Sequence, residues 1–517
     1  MPTEMTLTRH HLISSVLFIL AVSGIGTYAC TRSAQPGINP WLFPGPNTPQ
    51  HLTDITPTRT PFLPPTRAPG QPILTPTPDP PHNIPQLDTG SKQHLVQWGD
   101  TLGQIALLYN TTVEELVEVN QIPNPDWLEI GTLLTIPAPT PTLPGPDFKI
   151  IPDSELVYGP VSAYFDVESF VKQVRGYLYK YEETVDEETL SGAQIVQLVS
   201  QNYSVNPRLL LAVLEYLSHW VLSPQPDPTS LDYPIGWYDP NREGLYRQLA
   251  WAADQLNLGY YLWRVEAIGT WVLPDGTIVP IDPTINAGTA GVQHLFSKLN
   301  NHSTWEQAVL PTGLFATYVS MFGYPFDLAI EPLIPPDLQQ PAMILPFEAE
   351  VPWAFTGGPH GGWDDGSAWA ALDFAPPGDL GCSISPSWVT AMADGLVIRA
   401  DHGVVIQDLD NDGMEQTGWT ILYLHISSFE GVQAGVYLQA GERIGHPSCE
   451  GGFAPATHLH IARRYNGEWI PADGPIPFNL EGWVSIGMGT AYDGYLQRGN
   501  QTLEACECRT PENTIQR

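Results

Sequence analysis

The residues able to do chemistry gather in the last third of the chain, where His360, Asp373, His425, His458 and His460 fall in short β-like runs or an adjoining glycine-rich loop. Successive side chains of a strand point to opposite faces, so in THLHIA His458 and His460 project together while Leu459 and Ile461 turn away. In ALDFA, Asp373 departs from the face of Leu372 and Phe374, and in ILYLHI, His425 shares a face with Ile421 and Tyr423. A lone histidine on a strand is most often an ordinary core or surface residue. Four of them with a carboxylate fit a metal centre instead, because tetrahedral zinc takes nitrogen and oxygen donors and a reactive site leaves one position for water. Two imidazoles and one carboxylate leave such a centre net positive, which lowers the pKa of a bound water. His402 in ADHGVV and His446 in IGHPS read as ordinary loop histidines, and Asp364 and Asp365 as solvated loop charges. Asp408, Asp410 and Asp412 in DLDNDG alternate like a Ca2+ loop, but Trp419 stands at the twelfth position where glutamate is needed. An acidic hairpin turn is the expected reading there, and calcium the minor one.

These groups need a sheet to carry them. VTAMADGLVIRA, GVVIQD, WTILYLHI and THLHIARRY are short alternating or apolar runs between glycine and acidic turns, as in an antiparallel sheet. The expected architecture is multidomain α+β: a small strand-helix-helix-strand module at 92–138, a helical domain at 153–340 and an antiparallel β-sheet domain at 341–500, with a tail at 501–517. Proline-rich stretches at 31–91 and 139–152 separate them as spacers, since proline donates no amide hydrogen and favours extended conformers. Residues 1–30 have an export-signal pattern: Arg9, His10 and His11, then LISSVLFILAVSGIG, then TYAC. The apolar run is short for a membrane span. Cys30 stands where a bacterial lipoprotein carries its lipid, although Thr27 and Tyr28 depart from the usual box; lipidation, plain cleavage and an uncleaved anchor stay open. Four further cysteines, an even number, suit an oxidising exterior. Cys382 is expected to pair with Cys449, since both flank the histidine-bearing segments; two free buried thiols are the alternative. With 21 basic against 55 acidic side chains, a net of -34, the chain repels nucleic acid and anionic lipid, so a membrane enters only through an N-terminal anchor or lipid.

Three stretches carry resemblances to known families. The island HLVQWGDTLGQIALLYNTTVEELVEVNQIPNPDWLEIGTLLTIP, with its GDTL, VEEL helix, Asn120 and closing TIP, resembles the lysin motif (LysM). That implies binding to N-acetylglucosamine-containing glycan, usually peptidoglycan, with Gly99, Asp100, Thr101, Leu102, Asn120 and Ile122 as candidates. VNPRLLLAVLEYLSHW resembles the helix of lytic transglycosylases, whose catalytic glutamate directly precedes a serine; here Leu217 precedes Ser218 and Glu215 lies elsewhere on the helix. Without a placed carboxyl the helical domain reads as non-catalytic, either a glycan holder or a plain spacer.

From GGPH at 357–360 to HLHIARRYNGEW at 458–469, the last domain resembles the lysostaphin-type zinc endopeptidases. Most members place a ligand histidine four residues before the aspartate, where this chain has Trp369; the beta-lytic, staphylolysin-like branch places it in an upstream GPH-like turn, as here. The resemblance implies one Zn2+ per chain held by His360, Asp373 and His460, with the loop GGWDDGSAWAAL letting His360 return, and His425 and His458 as the catalytic, non-ligand pair. It makes the chain a secreted or surface-anchored peptidoglycan endopeptidase, with subsite loops around Trp353, Trp363 and Trp388. The rival readings are a wall-binding scaffold or amidase activator without catalysis, and an endopeptidase of extracellular proteins that LysM parks on the wall.

Overall fold

The computed structural model describes residues 81–83, 92–97, 100–109, 111–125, 127–137, 143–378 and 381–517. The 1–30 signal, Cys30, Gly99 and nearly all of the 31–91 spacer lie outside the described residues.

The first module is β1 (Lys92–Leu95), α1 (Leu102–Tyr109), α2 (Val113–Asn120) and β2 (Leu133–Ile136), with β1 and β2 antiparallel. Helix α2 starts where Thr112 and Glu115 form a capping box, satisfying amides that a first turn leaves without partners. Val96, Leu102, Ile105, Leu116, Leu134 and Ile136 make its core.

The middle region is helical as expected: α3 (Val167–Val174), α4 (Gly192–Tyr203), α5 (Pro207–Ser218), α6 (Leu245–Arg264), α7 (Ala287–Leu299), α8 (His302–Val309) and α9 (Leu314–Phe322). It also holds two hairpins that helical periodicity did not foretell, β3 (Glu182–Val185) with β4 (Glu188–Ser191) and β5 (Thr270–Val272) with β6 (Ile278–Pro280). The apolar spacing of VESFVKQVRGYLYKYEE suits a helix throughout, but α3 stops at Val174. Arg175 turns left-handed (φ 55), and Gly176 packs so closely on the Val221 carbonyl that a Cβ would collide with it.

The C-terminal region is built on a nine-stranded antiparallel sheet. Its order is β13 (Tyr437–Leu438), β10 (Gly395–Asp401), β11 (Val404–Asp408), β12 (Trp419–Leu424), β15 (Leu459–Tyr465), β8 (Ala371–Ala375), β7 (Trp353–His360) and β21 (Thr514–Ile515), with β16 (Glu468–Trp469) folded back on β15. β9 (Val389–Thr390) pairs with β14 (Arg443–Gly445), and β17 (Asn479–Leu480), β18 (Trp483–Gly487), β19 (Gly494–Arg498) and β20 (Gln501–Glu504) form a separate small sheet. One face, bearing Leu372, Phe374, Ile421, Tyr423, Leu459 and Ile461, closes over the domain's own apolar core. The other face bears Ala371, Val404, Ile406, Leu422 and Ala462 and packs on the helices. Polar bonds fasten that second contact: the Trp469 indole donates to the Tyr203 carbonyl at 3.3 Å, Arg464 to the Gln201 carbonyl at 3.1 Å, and Arg399 to Asn202 at 2.6 Å. Glu415 lies between Arg399 and Arg464 and neutralises both. Among the described residues no helix is long and apolar enough to cross a membrane.

Candidate metal centre

Strand β8 sets the site. Asp373 stands directly across from His460 of β15 and from Gly357 of β7, so three strands meet at one carboxylate. By alternation Asp373 and His460 share the face of Ala371 and Ala462, which is the face toward the helices. His360 arrives differently from expectation: it ends strand β7 rather than sitting in a turn. The β7–β8 register shifts between Phe355 and Gly357 and again between Gly357 and His360. Each shift re-aims the next residues of the strand, as a bulge does. Close approach explains two glycines here. A Cβ on Gly357 would lie 2.9 Å from Asp373 Oδ2, and one on Gly358 would lie 2.6 Å from the Asp493 backbone.

The result is a tight triangle of donor atoms. His360 Nε2 is 3.3 Å and His460 Nδ1 3.2 Å from Asp373 Oδ1, and the two ring nitrogens are 3.1 Å apart. All three residues are buried. The far nitrogen of each ring donates to a backbone carbonyl, His360 Nδ1 to Gly358 at 2.8 Å and His460 Nε2 to Gly362 at 3.1 Å. A carbonyl only accepts, so those nitrogens carry the protons, and a neutral ring then turns its lone pair inward. Asp373 Oδ1 has no hydrogen-bond partner. Two lone pairs and a carboxylate oxygen facing one another in a buried space call for a cation. Tetrahedral zinc with bonds of about 2.0–2.1 Å separates its ligand atoms by about 3.3 Å, so the triangle fits that ion. Burial raises the Asp373 carboxyl, but His360, joined by His460 and His458, outweighs it and holds the pKa well below the usual range. Burial in turn lowers His360, and the Asp373 carboxylate more than reverses this.

His458 precedes β15 on the same side, its Nε2 3.8 Å from Asp373 Oδ1. His425 corrects the strand reading. Strand β12 ends at Leu424, which pairs with His460, so strict alternation would send His425 to the opposite face. His425 instead adopts a left-handed conformation (φ 66) that swings its ring to 4.5 Å from His458 and 6.3 Å from His460. Burial and the neighbouring imidazoles push its pKa down to about 3, so it stays neutral.

Other expected positions sort unevenly. In the first module Leu102 is core, and Ile122 is half-buried against that core. Asp100 accepts from His94 at 2.8 Å and from the Gln97 amide at 2.7 Å. The Asn120 amide ties α2 to β2 through the Thr135 carbonyl and amide, and also donates to the Leu116 carbonyl of its own helix. Thr101 alone of the described candidates is exposed. Trp353 is not beside a subsite: it is buried in β7, stacked on Phe347. Trp388 packs between His446 and Arg443, and Trp363 lies against Tyr203. His446 is a loop residue as expected, but buried, and donates to the Ser387 carbonyl, whereas His402 is exposed. Asp364 and Asp365 are exposed, Asp364 accepting from the Tyr203 hydroxyl. Asp408, Asp410 and Asp412 do cluster, but Asp408 already accepts from the Asp410 and Gly413 amides, as in an acidic turn. Glu215 is spent inside the chain, accepting from the Val221 and Leu222 amides. Disulfides join Cys382 to Cys449 and Cys506 to Cys508. Sequence reasoning missed Tyr492, whose ring stacks on His360 at 4.2 Å and whose backbone brackets Pro359. Nothing in TAYDGY marks it.

Among known proteins, the curated cortical fragment-lytic enzyme of Bacillus subtilis (strain 168) is 48% identical over 44 residues, 8% of this chain. That match spans only 10% of the relative's length. The solved structure described as a novel M23 metalloprotease, pseudoalterin, from the deep sea is 22% identical, covering 34% of this chain and 99% of that one with a TM-score of 0.28. The catalytic domain of lysostaphin from Staphylococcus simulans is 24% identical, covering 23% of this chain and 87% of that one with a TM-score of 0.18. Residues 149–335, which contain the helix compared above with that of lytic transglycosylases, match the family model described as LasA, N-terminal domain. Residues 94–137 match the LysM domain model, so over that stretch the chain is similar to a lysin motif, and over the next to the LasA N-terminal domain.

Proposed function

We propose that the chain is a zinc-dependent endopeptidase that cuts peptides of peptidoglycan at or outside the cell surface, while the LysM-like module holds the glycan. One observation carries the reading: Asp373 Oδ1 is buried without a hydrogen-bond partner, with two inward-facing imidazole nitrogens within 3.3 Å. His360, Asp373 and His460 would hold the ion. Zinc, when bound, supplies a Lewis acid for the scissile carbonyl and makes hydroxide available near neutral pH.

The protein's own residues do the rest. His425 and His458 each donate Nδ1–H to a backbone carbonyl, at 2.8 Å from Glu450 and from Ala456, so each keeps its Nε2 unprotonated, with a free lone pair. A proton taken at one Nε2 is available to the leaving amine, and either ring, once protonated, stabilises a developing oxyanion. Export and a lipid on Cys30 belong to the same proposal, as does tethering, which raises the effective concentration of the site at an insoluble wall.

His460→Ala removes one ligand and leaves His360 as the sole ligand imidazole beside Asp373. It is expected to abolish both zinc binding, read by metal analysis, and clearing of purified peptidoglycan. Clearing at the wild-type rate refutes the assignment, and wild-type protein that takes up no zinc supports the scaffold reading instead.

A further inference from the structure

Both non-ligand histidines take their tautomer from one short segment, residues 449–456. Its Glu450 carbonyl accepts from His425 Nδ1 and its Ala456 carbonyl from His458 Nδ1. The segment is fastened at each end to another loop. Cys449 is bonded to Cys382, and Thr457 donates its amide to the Gly381 carbonyl and its hydroxyl to the Ser383 carbonyl, both at 2.6 Å.

Glu450 also grips the chain that carries His425. Its carboxylate accepts from the Ser427 hydroxyl and the Ser428 amide, each at 2.9 Å, just past His425. Its amide donates to Ser448 Oγ, and Ser448 donates amide and hydroxyl to the His425 carbonyl. His425 needs this support because it stands beyond the last ladder bond of β12 in a left-handed conformation that the strand does not impose.

We propose that Glu450 is the positioning residue of His425, and that the disulfide-held segment 449–456 is the part that fixes which nitrogen of His425 and His458 faces the substrate. The functional half of this rests on the peptidase reading; the structural half does not. A neutral imidazole without the carbonyl exchanges its proton between the two nitrogens, and the tautomer with Nε2–H offers no base at that atom.

The test uses the full chain, zinc-loaded and labelled with 15N-histidine, and compares wild type, Glu450→Ala, Glu450→Gln and a Cys382→Ser/Cys449→Ser double variant. In wild type the 15N spectrum should show an unprotonated Nε2 at His425. Glu450→Ala should give an exchange-averaged His425 signal, unchanged zinc content, and a kcat lower by about 10- to 100-fold with KM within about twofold. Glu450→Gln retains an acceptor oxygen for one of the two bonds and should recover most of the loss, which a general folding defect would not do. The double variant should average both His425 and His458. A sharp wild-type tautomer in Glu450→Ala overturns the role of Glu450, and one in the double variant overturns that of the bridge. If wild-type protein does not cut peptidoglycan, the peptidase reading fails while the tautomer spectra still decide this proposal.

Discussion

Gly357→Ala places one methyl group against the carboxylate at the heart of the site. The new Cβ would lie 2.9 Å from Asp373 Oδ2, 3.0 Å from its Cβ and 3.2 Å from its Cγ. Ordinary contact begins near 3.5 Å, so Asp373 must give way by about 0.5 Å or more. It has little freedom to do so, because β15 holds it from the other side through the His460 pairing. Gly357 is not left-handed, so the substitution brings steric pressure without backbone strain. Displacement of this size at a reacting centre costs about 10- to 100-fold in rate, since an error of about 1 Å costs about 10²-fold. The assay pairs initial rates on a soluble wall peptide with zinc affinity from chelator competition, and far-UV circular dichroism checks the fold. The expected outcome is a folded protein that binds zinc more weakly and turns over slowly. Wild-type affinity and rate would show that the carboxylate is not held by this packing, and the argument from the triangle of donor atoms would fall with it.

Two other outcomes concern groups away from the centre. Burial, then the nearby Asp364 carboxylate, pushes Asp254 of α6 up to about 7 from 3.8, where it accepts from the Gly366 amide of the loop behind His360. The folded carboxyl therefore binds its proton more tightly than the unfolded one, so this contribution to stability is complete below about pH 3.8 and is lost as pH rises through about 7. The ceiling is about 4 kcal/mol; urea midpoints should fall between pH 5 and 8 in wild type, and Asp254→Asn should flatten that slope, an equal slope in both counting against it. Asn120→Ala removes two hydrogen bonds joining α2 to β2 and one to Leu116 within α2, and should cost about 1–3 kcal/mol of LysM-module stability, measured by thermal unfolding; a loss of glycan binding without any loss of stability would return Asn120 to the ligand surface.

Strand periodicity made part of the site legible. From letters alone His458 and His460 could be placed together on one face of their run, and Asp373 off the face of Leu372 and Phe374, because the runs around β15 and β8 obey alternation; that the two runs are neighbours comes from the fold. The same rule misplaced His425, since one left-handed residue at a strand end cancels it and histidine is among the residues that tolerate that conformation. His360 was legible by type and not by route: two register shifts in a glycine-containing strand do what a turn was expected to do. The carbonyls of Gly358, Gly362, Glu450 and Ala456, which decide four tautomers, could not be read, because every residue has such a carbonyl and only the folded path aims it. In the middle region the apolar spacing gave the helices, while β3 to β6 are too short for a period to register.

If His360, Asp373 and His460 hold an ion, the pairing of Asp373 with both Gly357 and His460 ties its capture to the correctness of the sheet itself. Sliding β8 by a single position would turn the carboxylate inward among Phe355, Leu459 and Ile461 and bring Leu372 or Phe374 outward in its stead. A misaligned chain would thus have no place for the ion, so uptake of metal would report that β7, β8 and β15 had closed in their proper alignment, and chains trapped in the wrong one would remain inert.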